Sequence, residues 1–312
     1  MKAATAATLV ALLGVVSPLA AQDVARPATT VAAPRYRTSV IARGLQRPTG
    51  IAIRGSDDLY FTELPTPGVP GATGGSNRVS RLEIETGEVE VITTGEPEPT
   101  NLAVATDGDV YWTCKSAGVI LRLMEHGGVS LFASGLNKPS GITVWRRNAV
   151  VYTEVPTPGV PGSQGGLNNV SVIHGLGKFV INAGEPEPVD VVVARSGDLY
   201  WTCKSAGVIL RRSIATGQVS PLLTGLASPM GIALDHKGET LYFTEVPTPG
   251  VPGSAGGTNR VRALTLRSGA LRTIDEGDPE PTDIAVARNG NLYWTCTSAG
   301  VIVEARRLGR RE

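Results

Sequence analysis

Short apolar runs separated by turn residues recur along most of the chain, and none of them continues at the period of a helix. One module carries four such runs, at residues 102–105, 110–114, 119–123 and 129–133. Asp107 and Gly108 separate the first two runs, and Gly127 and Gly128 separate the last two, as in β-hairpin turns. The pattern predicts four short antiparallel strands in each module.

The modules belong to a long internal repeat. The motif TPGVPG begins at Thr66, Thr157 and Thr248, a spacing of 91 residues each time. Each long copy divides into two modules, one beginning GL-x-x-P and the other G-[ED]-P-E-P. Six modules of four strands predict an all-β, six-bladed β-propeller with antiparallel blades. A β-helix has shorter repeats, and a β-sandwich lacks such a period.

The last module has only three apolar runs, at residues 284–287, 292–296 and 301–306. The segment YRTSVIARG, residues 36–44, is similar to the fourth runs of other modules, such as VSLFASG. We therefore expect an N-terminal strand to close the last blade. This closure would remove exposed sheet edges and hold both ends of the domain.

The N-terminus has the pattern of a secretory signal. Lys2 precedes an apolar run at residues 9–16, and small residues follow up to Ala21. We expect a signal peptide at residues 1–21, a linker at 22–35 and the propeller at 36–312. The run is shorter than the roughly 20 residues that span a bilayer. The sequence thus predicts a secreted or periplasmic protein that is not inserted in a membrane after signal cleavage.

Composition narrows the choice of partners. The net charge is +1, which does not favour nucleic-acid binding, and we expect a monomer. Gly 38 and Pro 22 recur with the repeat, which indicates turns rather than disorder. The arginines at 306, 307, 310 and 311 are interpreted as a solvated C-terminal tail rather than a binding patch.

Several strings resemble known propeller families. GIAI, LYFTE and NRVSRLEI, within residues 50–84, resemble NHL-type repeats and most closely the virginiamycin B lyase family. YWTCKSAGVILR resembles the senescence-marker/gluconolactonase/strictosidine-synthase superfamily. The resemblance implies a propeller, and activity as a metal-assisted lyase or lactone hydrolase. It also implies a histidine at the start of an inner strand, whereas His126, His174 and His236 fall in turns or outer strands.

Three sets of acidic or amide side chains are expected on the face where the inner strands begin. Two sets are predicted to bind a ligand, Glu63, Glu154 and Glu245 at second-strand ends and Glu98, Glu187 and Glu280 in the PEP loops. The third set, predicted to bind Ca²⁺ or Mg²⁺ through oxygen ligands, is Asn101, Asp190 and Asp283. The alternative is structural, because Asp and Asn also cap turns. No catalytic residue is assigned.

The cysteines and tryptophans of the WTC motifs are expected to pack between blades. Alternate second strands lie too far apart for a disulfide or a shared zinc, so Cys114, Cys203 and Cys296 are predicted to be buried, unpaired thiols. The TPGVPG loops are expected to form a rim over the same face as the three acidic sets.

Three functions follow from these patterns. The first is an exported propeller that binds a small-molecule, carbohydrate or peptide ligand, with or without a divalent cation, on the face of the PEP loops. The second is a metal-assisted lyase or lactone hydrolase, so that the sequence leaves open whether the protein is an enzyme. The third is an extracellular protein-interaction scaffold.

Overall fold

The computed structural model describes residues 35–65, 76–146, 149–156, 167–175, 177–247 and 257–309. The predicted signal peptide, all of the predicted linker except Arg35, and the three TPGVPG motifs lie outside these residues. The described residues form strands joined by turns, and among them no helix has the length and apolar character needed to cross a membrane.

The strands match the apolar runs of the sequence to within a few residues. In chain order they are β1 (Tyr36–Ala42), β2 (Pro48–Arg54), β3 (Asp58–Glu63), β4 (Arg78–Glu83), β5 (Val89–Thr94), β6 (Pro99–Val104), β7 (Val110–Cys114), β8 (Val119–Leu123), β9 (Val129–Ala133), β10 (Pro139–Trp145), β11 (Ala149–Glu154), β12 (Asn169–His174), β13 (Gly177–Ala183), β14 (Pro188–Val193), β15 (Leu199–Cys203), β16 (Val208–Arg212), β17 (Val219–Leu223), β18 (Pro229–Leu234), β19 (Thr240–Glu245), β20 (Arg260–Thr265), β21 (Ala270–Glu276), β22 (Pro281–Val286), β23 (Leu292–Cys296) and β24 (Val301–Arg307).

These strands form six four-stranded antiparallel sheets, the blades of a propeller. Blades 1 to 5 follow the chain as β2–β5, β6–β9, β10–β13, β14–β17 and β18–β21. Blade 6 has the order β1-β24-β23-β22, so its outer strand comes from the start of the domain. Thr38 pairs with Ala305 and Val40 with Val303 in this closure. The predicted six-bladed fold and its N-terminal closing strand are confirmed.

The second strand of each blade is the most buried because it lies between the neighbouring blades. Every residue of β7, β15 and β23 is buried, whereas the outer strands keep exposed positions. Trp112 is fully buried and packs with Tyr60 of the preceding blade. Cys114 lies in the same cluster. Contacts between blades, rather than within one sheet, therefore form the hydrophobic core.

The strand nearest the central channel is the inner strand of its blade, and these strands are β2, β6, β10, β14, β18 and β22. Each inner strand begins with a β-bulge just after its first proline. In blade 1 Pro48 pairs with Glu63 and Ile51 pairs with Phe61, so the residues between them leave the regular ladder. The same register shift recurs at the start of β6, β10, β14, β18 and β22. Such bulges redirect side chains, and here they lie at the end of the propeller where the site residues were predicted.

A threonine on each second strand supplies hydrogen bonds to backbone groups that the bulge removes from the regular ladder. The hydroxyl of Thr113 accepts a hydrogen bond from Asn101 N at 3.2 Å and donates to Ser140 O of the next blade at 2.6 Å. The equivalent residues make both bonds around the ring: Thr62, Thr153, Thr202, Thr244 and Thr295. This threonine ring joins neighbouring blades near the propeller axis.

Candidate functional site

The inner strands begin and the second strands end on the same face, which we call the mouth. The residue before each inner-strand proline has a left-handed backbone, with φ between 51° and 57° at Arg47, Glu98, Lys138, Glu187, Ser228 and Glu280. Its carbonyl accepts a hydrogen bond from the residue after the second strand, as in Lys115 N to Glu98 O at 2.9 Å. Six non-glycine residues are thus held in a strained conformation around one opening.

Asn101, Asp190 and Asp283, the predicted metal ligands, come together at the centre of the mouth. The amide of Asn101 donates to Asp190 Oδ1 at 2.9 Å. The side chains of Asp190 and Asp283 lie close enough for each to affect the pKa of the other. A hydrogen bond between two carboxyl groups requires a proton on one of them, because a carboxylate can only accept. The site therefore contains a buried acid pair, supported by an amide.

The acid pair also fastens neighbouring blades. Asp190 Oδ2 accepts a hydrogen bond from Ile232 N at 2.9 Å, and Asp283 Oδ2 accepts one from Ile51 N at 2.7 Å. The remaining oxygens accept from the next residue of their own strands, Val191 N and Ile284 N, both at 2.8 Å. Both acids therefore bind backbone N–H groups, which is the structural role predicted as the alternative to metal binding. Each oxygen can still accept a further hydrogen bond.

Burial controls the titration of the pair. It raises the pKa of Asp190 to about 7, against the opposing effect of hydrogen bonds from Ile232 N and Val191 N. Burial and the nearby charge of Asp190 raise the pKa of Asp283 well above its usual range. The raised pKa values favour a proton on the pair near neutral pH, where an isolated aspartate is ionised.

Glycines in alternate blades make room for this centre. A Cβ atom at Gly231 would lie 2.5 Å from Asp283 Cα, and one at Gly141 would lie 2.4 Å from Asp190 Cα. Gly50 has the same relation to Asn101, at 2.7 Å. At this position, glycine in one inner strand thus alternates around the ring with Asn or Asp in the next.

Two cavities meet at the acid pair. The mouth cavity has a volume of about 230 Å³, and the other, of about 260 Å³, lies among the inner strands along the central channel. Asn101, Asp190 and Asp283 line both. They therefore form the floor of the mouth cavity and the end of the channel.

The wall of the mouth cavity is not threefold symmetric. Lys115 and Lys204 line it immediately after β7 and β15, and Glu187 lies beside them. The equivalent position after β23 is Thr297, which donates its hydroxyl to Pro48 O at 2.6 Å. Among the described residues that line the cavity, the cationic groups therefore lie on the sides of blades 2 and 4. The change from WTCK to WTCT marks this asymmetry in the sequence.

The Glu63, Glu154 and Glu245 set lies at the second-strand ends but does not line the mouth cavity. Glu63 is fully buried and accepts hydrogen bonds from Gln46 N at 2.7 Å and from Arg78 Nε at 2.6 Å. Glu154 accepts from Asn137 N and Lys178, and Glu245 accepts from Ala227 N and Arg262. These carboxylates anchor the GL-x-x-P loops to their blades.

The Glu98, Glu187 and Glu280 set occupies the strained positions around the mouth and is half-buried. Only Glu187 lines the mouth cavity. The structure therefore brings Glu187 together with Asp190 and Asp283, whereas Glu98 and Glu280 do not line that cavity.

The first acid of each G-[ED]-P-E-P motif was not among the predicted site residues, although it contacts the WTC motif of the same blade. Glu96 accepts hydrogen bonds from Trp112 Nε1 at 3.3 Å and from the thiol of Cys114 at 3.6 Å. Glu185 and Asp278 repeat this arrangement with the other two WTC motifs. The equal spacing of the two strings in all three copies is the signal that could have revealed these acids. The three thiols are buried and unpaired, as predicted.

The described residues contain no cluster of three or more His, Cys, Asp or Glu side chains placed to hold a metal ion. That set of residue types does not include asparagine, so it does not cover the combination of Asn101 with Asp190 and Asp283. Two carboxylates and one amide supply fewer oxygens than the six to eight that Ca²⁺ takes. His126, His174 and His236 are all exposed, and none lines either cavity.

This ring of blades and its polar mouth define the chain as a six-bladed β-propeller. No protein-family profile matches it. A protein of the fungus Pyricularia oryzae named low-density lipoprotein receptor-related protein 1 is 28% identical and aligns with 77% of this chain and 84% of its own.

Solved structures share the fold at low identity. A streptogramin B lyase is 16% identical, with a TM-score of 0.60 over 88% of this chain and 98% of its own. A gluconolactonase-type protein is 13% identical, with a TM-score of 0.67 over 87% of this chain and 92% of its own. A virginiamycin B lyase from Staphylococcus aureus is 16% identical, with a TM-score of 0.57 over 88% of this chain and 100% of its own. The predicted structural resemblance to these propellers is confirmed.

Proposed function

We propose that this protein is an exported binding propeller whose mouth cavity holds a small anionic molecule bearing hydroxyl groups. The proposal depends on Lys115 and Lys204, which line one cavity of about 230 Å³. Neither ammonium group has an ion-pair partner among the residues that the structure describes. A carboxylate of the ligand would receive charge-assisted hydrogen bonds from them.

The other walls suit hydroxyl groups. Thr49, Thr100, Ser140 and Thr282 line the same cavity. The acid pair at the floor supplies both acceptor oxygens and one proton. Glu187 places a negative charge beside the lysines, which favours a ligand of limited charge over a polyanion. A sugar acid has the required combination of one carboxylate and several hydroxyls.

The test measures binding of galacturonate and gluconate to the full chain by calorimetry, with galactose as the neutral comparison. We expect the two acids to bind and galactose to bind at least tenfold more weakly. Lys115→Thr and Lys204→Thr should each weaken acid binding about tenfold or more, because each removes one charge-assisted hydrogen bond. Both substitutions introduce the residue that the chain has at position 297.

Lys237→Thr is the matched control, because Lys237 is exposed in a turn of blade 5 and does not line the cavity. It should leave binding unchanged. Equal binding of acids and galactose, or unchanged binding by both lysine variants, would contradict the proposal.

A divalent cation is the second occupant that we propose for this centre. Asp190 and Asp283 already contact each other, and Ca²⁺ or Mg²⁺ could replace a proton on this pair, with Asn101, water and the ligand supplying further oxygens. A chelator should then lower the melting temperature of the native protein, and Asp283→Asn should abolish that effect.

Lyase or lactone hydrolase activity is the alternative function. Asp190, with a pKa raised to about 7 at the cavity floor, has the titration expected of a general acid or base. A histidine-to-alanine variant of virginiamycin B lyase from Staphylococcus aureus is named as catalytically inactive. This chain has no histidine at its mouth, so its chemistry would depend on the acid pair. Turnover that Asp190→Asn abolishes without weakening ligand binding would favour this alternative.

A further inference from the structure

Exposed arginines gather where the closing strand meets the end of the chain. β1 and β24 pair there, and the turn between β22 and β23 lies beside them. Arg307 packs over this turn, since a Cβ at Gly290 would lie 2.9 Å from Arg307 Cδ. We call this surface the arginine rim, and its exposed members are Arg35, Arg37, Arg288, Arg306 and Arg307.

The rim concentrates uncompensated positive charge. Arg37 lies directly opposite Arg306 in the register of β1 and β24. Residues paired in this way have Cβ atoms about 5 Å apart, and like charges so placed destabilise the strand pair. Arg306 bonds Glu304 at 3.0 Å, whereas the other four have no ion pair among the described residues. The arginines therefore weaken the seam that closes the ring.

This placement differs from the solvated tail expected from the sequence. Arg306 and Arg307 are part of β24, and the backbone N–H of Leu308 donates to Arg35 O at 2.9 Å. The strand pair fixes the positions of the arginines along the edge of the domain. The sequence continues with Arg310 and Arg311, which lie beyond the described residues.

We propose that the arginine rim docks the propeller on a membrane surface that carries anionic, phosphate-bearing lipids. Guanidinium groups donate two parallel hydrogen bonds to a phosphate, and several basic residues near one surface add their attraction. Leu308 is 43% exposed beside Arg307, so an apolar side chain accompanies the charges at the rim. Such a combination suits the interface between headgroups and acyl chains. Docking of this kind places side chains among the headgroups without inserting a segment across the membrane.

The test is co-sedimentation of the full chain with vesicles. Phosphatidylcholine vesicles are compared with vesicles that also contain phosphatidylglycerol, at about 0.1 M and about 1 M salt. We expect binding only to the anionic vesicles and only at the lower salt concentration. The triple variant Arg37→Gln, Arg288→Gln, Arg307→Gln should bind about 100-fold more weakly, since each arginine contributes about fivefold.

The matched control removes the same charge elsewhere, with Arg43→Gln, Arg195→Gln and Lys237→Gln, all at exposed positions outside the rim. Arg195 occupies in blade 4 the turn position of Arg288 in blade 6. The control should keep its affinity within about threefold, because distant surface charges are screened. Equal loss in both triple variants, equal binding to neutral vesicles, or binding to dextran sulfate without binding to anionic vesicles would overturn the proposal.

Discussion

Thr295 in the last blade donates its hydroxyl to the backbone carbonyl of Thr49 in the first blade, with 2.7 Å between the two oxygens. The same hydroxyl accepts a hydrogen bond from Asp283 N at 3.3 Å. The strand pair β1–β24 closes the propeller at the outside of blade 6, whereas Thr295 closes it near the axis. The threonine ring thus connects ring closure directly to the acid pair of the mouth.

Replacing Thr295 by Val tests this second closure. Val has nearly the same shape but leaves Asp283 N without its side-chain partner, and it leaves Thr49 O with only the longer hydrogen bond from the Thr282 hydroxyl, at 3.3 Å. We expect the free energy of unfolding to fall by about 2 kcal/mol in urea titrations, the cost of leaving a buried backbone group without a hydrogen bond. Thr38→Val, at an exposed position of β1, should change it by less than about 0.5 kcal/mol. Equal effects of the two variants would show that the ring bond is dispensable.

One of the three copies contains a second acid pair away from the mouth. Thr93 donates to Glu96 at 2.6 Å, and Asn182 donates to Glu185, but the equivalent residue near Asp278 is Asp275. Burial, and then the charge of Asp278, raises the pKa of Asp275 to about 6. Asp275 must keep a proton to donate as Thr93 and Asn182 do.

The substitution Asp275→Asn should therefore remove a pH dependence of stability. A raised folded-state pKa contributes stability that is fully present below about pH 4 and is lost as the pH rises through about 6. At pH 7 the variant should be more stable than the native protein by about 1 kcal/mol, a value reduced for solvent screening of this half-buried pair. At pH 4 the two should be equally stable. Melting curves at both pH values provide the measurement, and parallel pH profiles would rule out a shared proton at this place.

Asp283→Asn tests the coupling at the mouth, because the chain itself has Asn at the equivalent position 101. The contact with Asp283 lowers the pKa of Asp190, and an Asn amide can still donate a hydrogen bond there, so the pKa of Asp190 should not fall below about 7 in this variant. Carbon-detected titration of the aspartate side chains would follow the pKa. The reciprocal variant Asp190→Asn should lower the pKa of Asp283, since the charge of Asp190 raises it. An unchanged pKa of Asp283 in the Asp190→Asn variant would mean that the acids do not interact.

The three thiols should be inert in the folded protein. Cys114, Cys203 and Cys296 are buried, and burial raises the pKa of each thiol far above its usual range. Each thiol also contacts a carboxylate, which disfavours the reactive thiolate. An aromatic disulfide reagent at pH 8 should detect no thiol before unfolding and three thiols in denaturant. Rapid modification of any one thiol in the native state would contradict this packing.

Much of the fold could be predicted because its signals are local and repeated. The apolar runs gave the bounds of β7, β8 and β9 to the residue, and the missing fourth run of the last module predicted the pairing of β1 with β24. The site was predicted less completely. The sequence named Asp190 and Asp283 as candidates for a metal site and Glu63 and Glu187 as candidates for a ligand site, but it overlooked Lys115, Lys204 and the first acids of the G-[ED]-P-E-P motifs.

The sequence by itself determined the number of blades, their strands and the closure of the ring, since hydrophobic period and turn residues act over a few neighbouring positions. Only the tertiary structure decided which acid is neutralised and which faces a cavity. Arg78 lies on the strand beside Glu63 and binds it, whereas Asp283 meets Asp190, 93 positions earlier in the chain, across the mouth. The repeat in the sequence predicts that equivalent residues have equivalent positions. The charged groups that surround each residue depend on side chains from other blades, and these come together only when the ring closes.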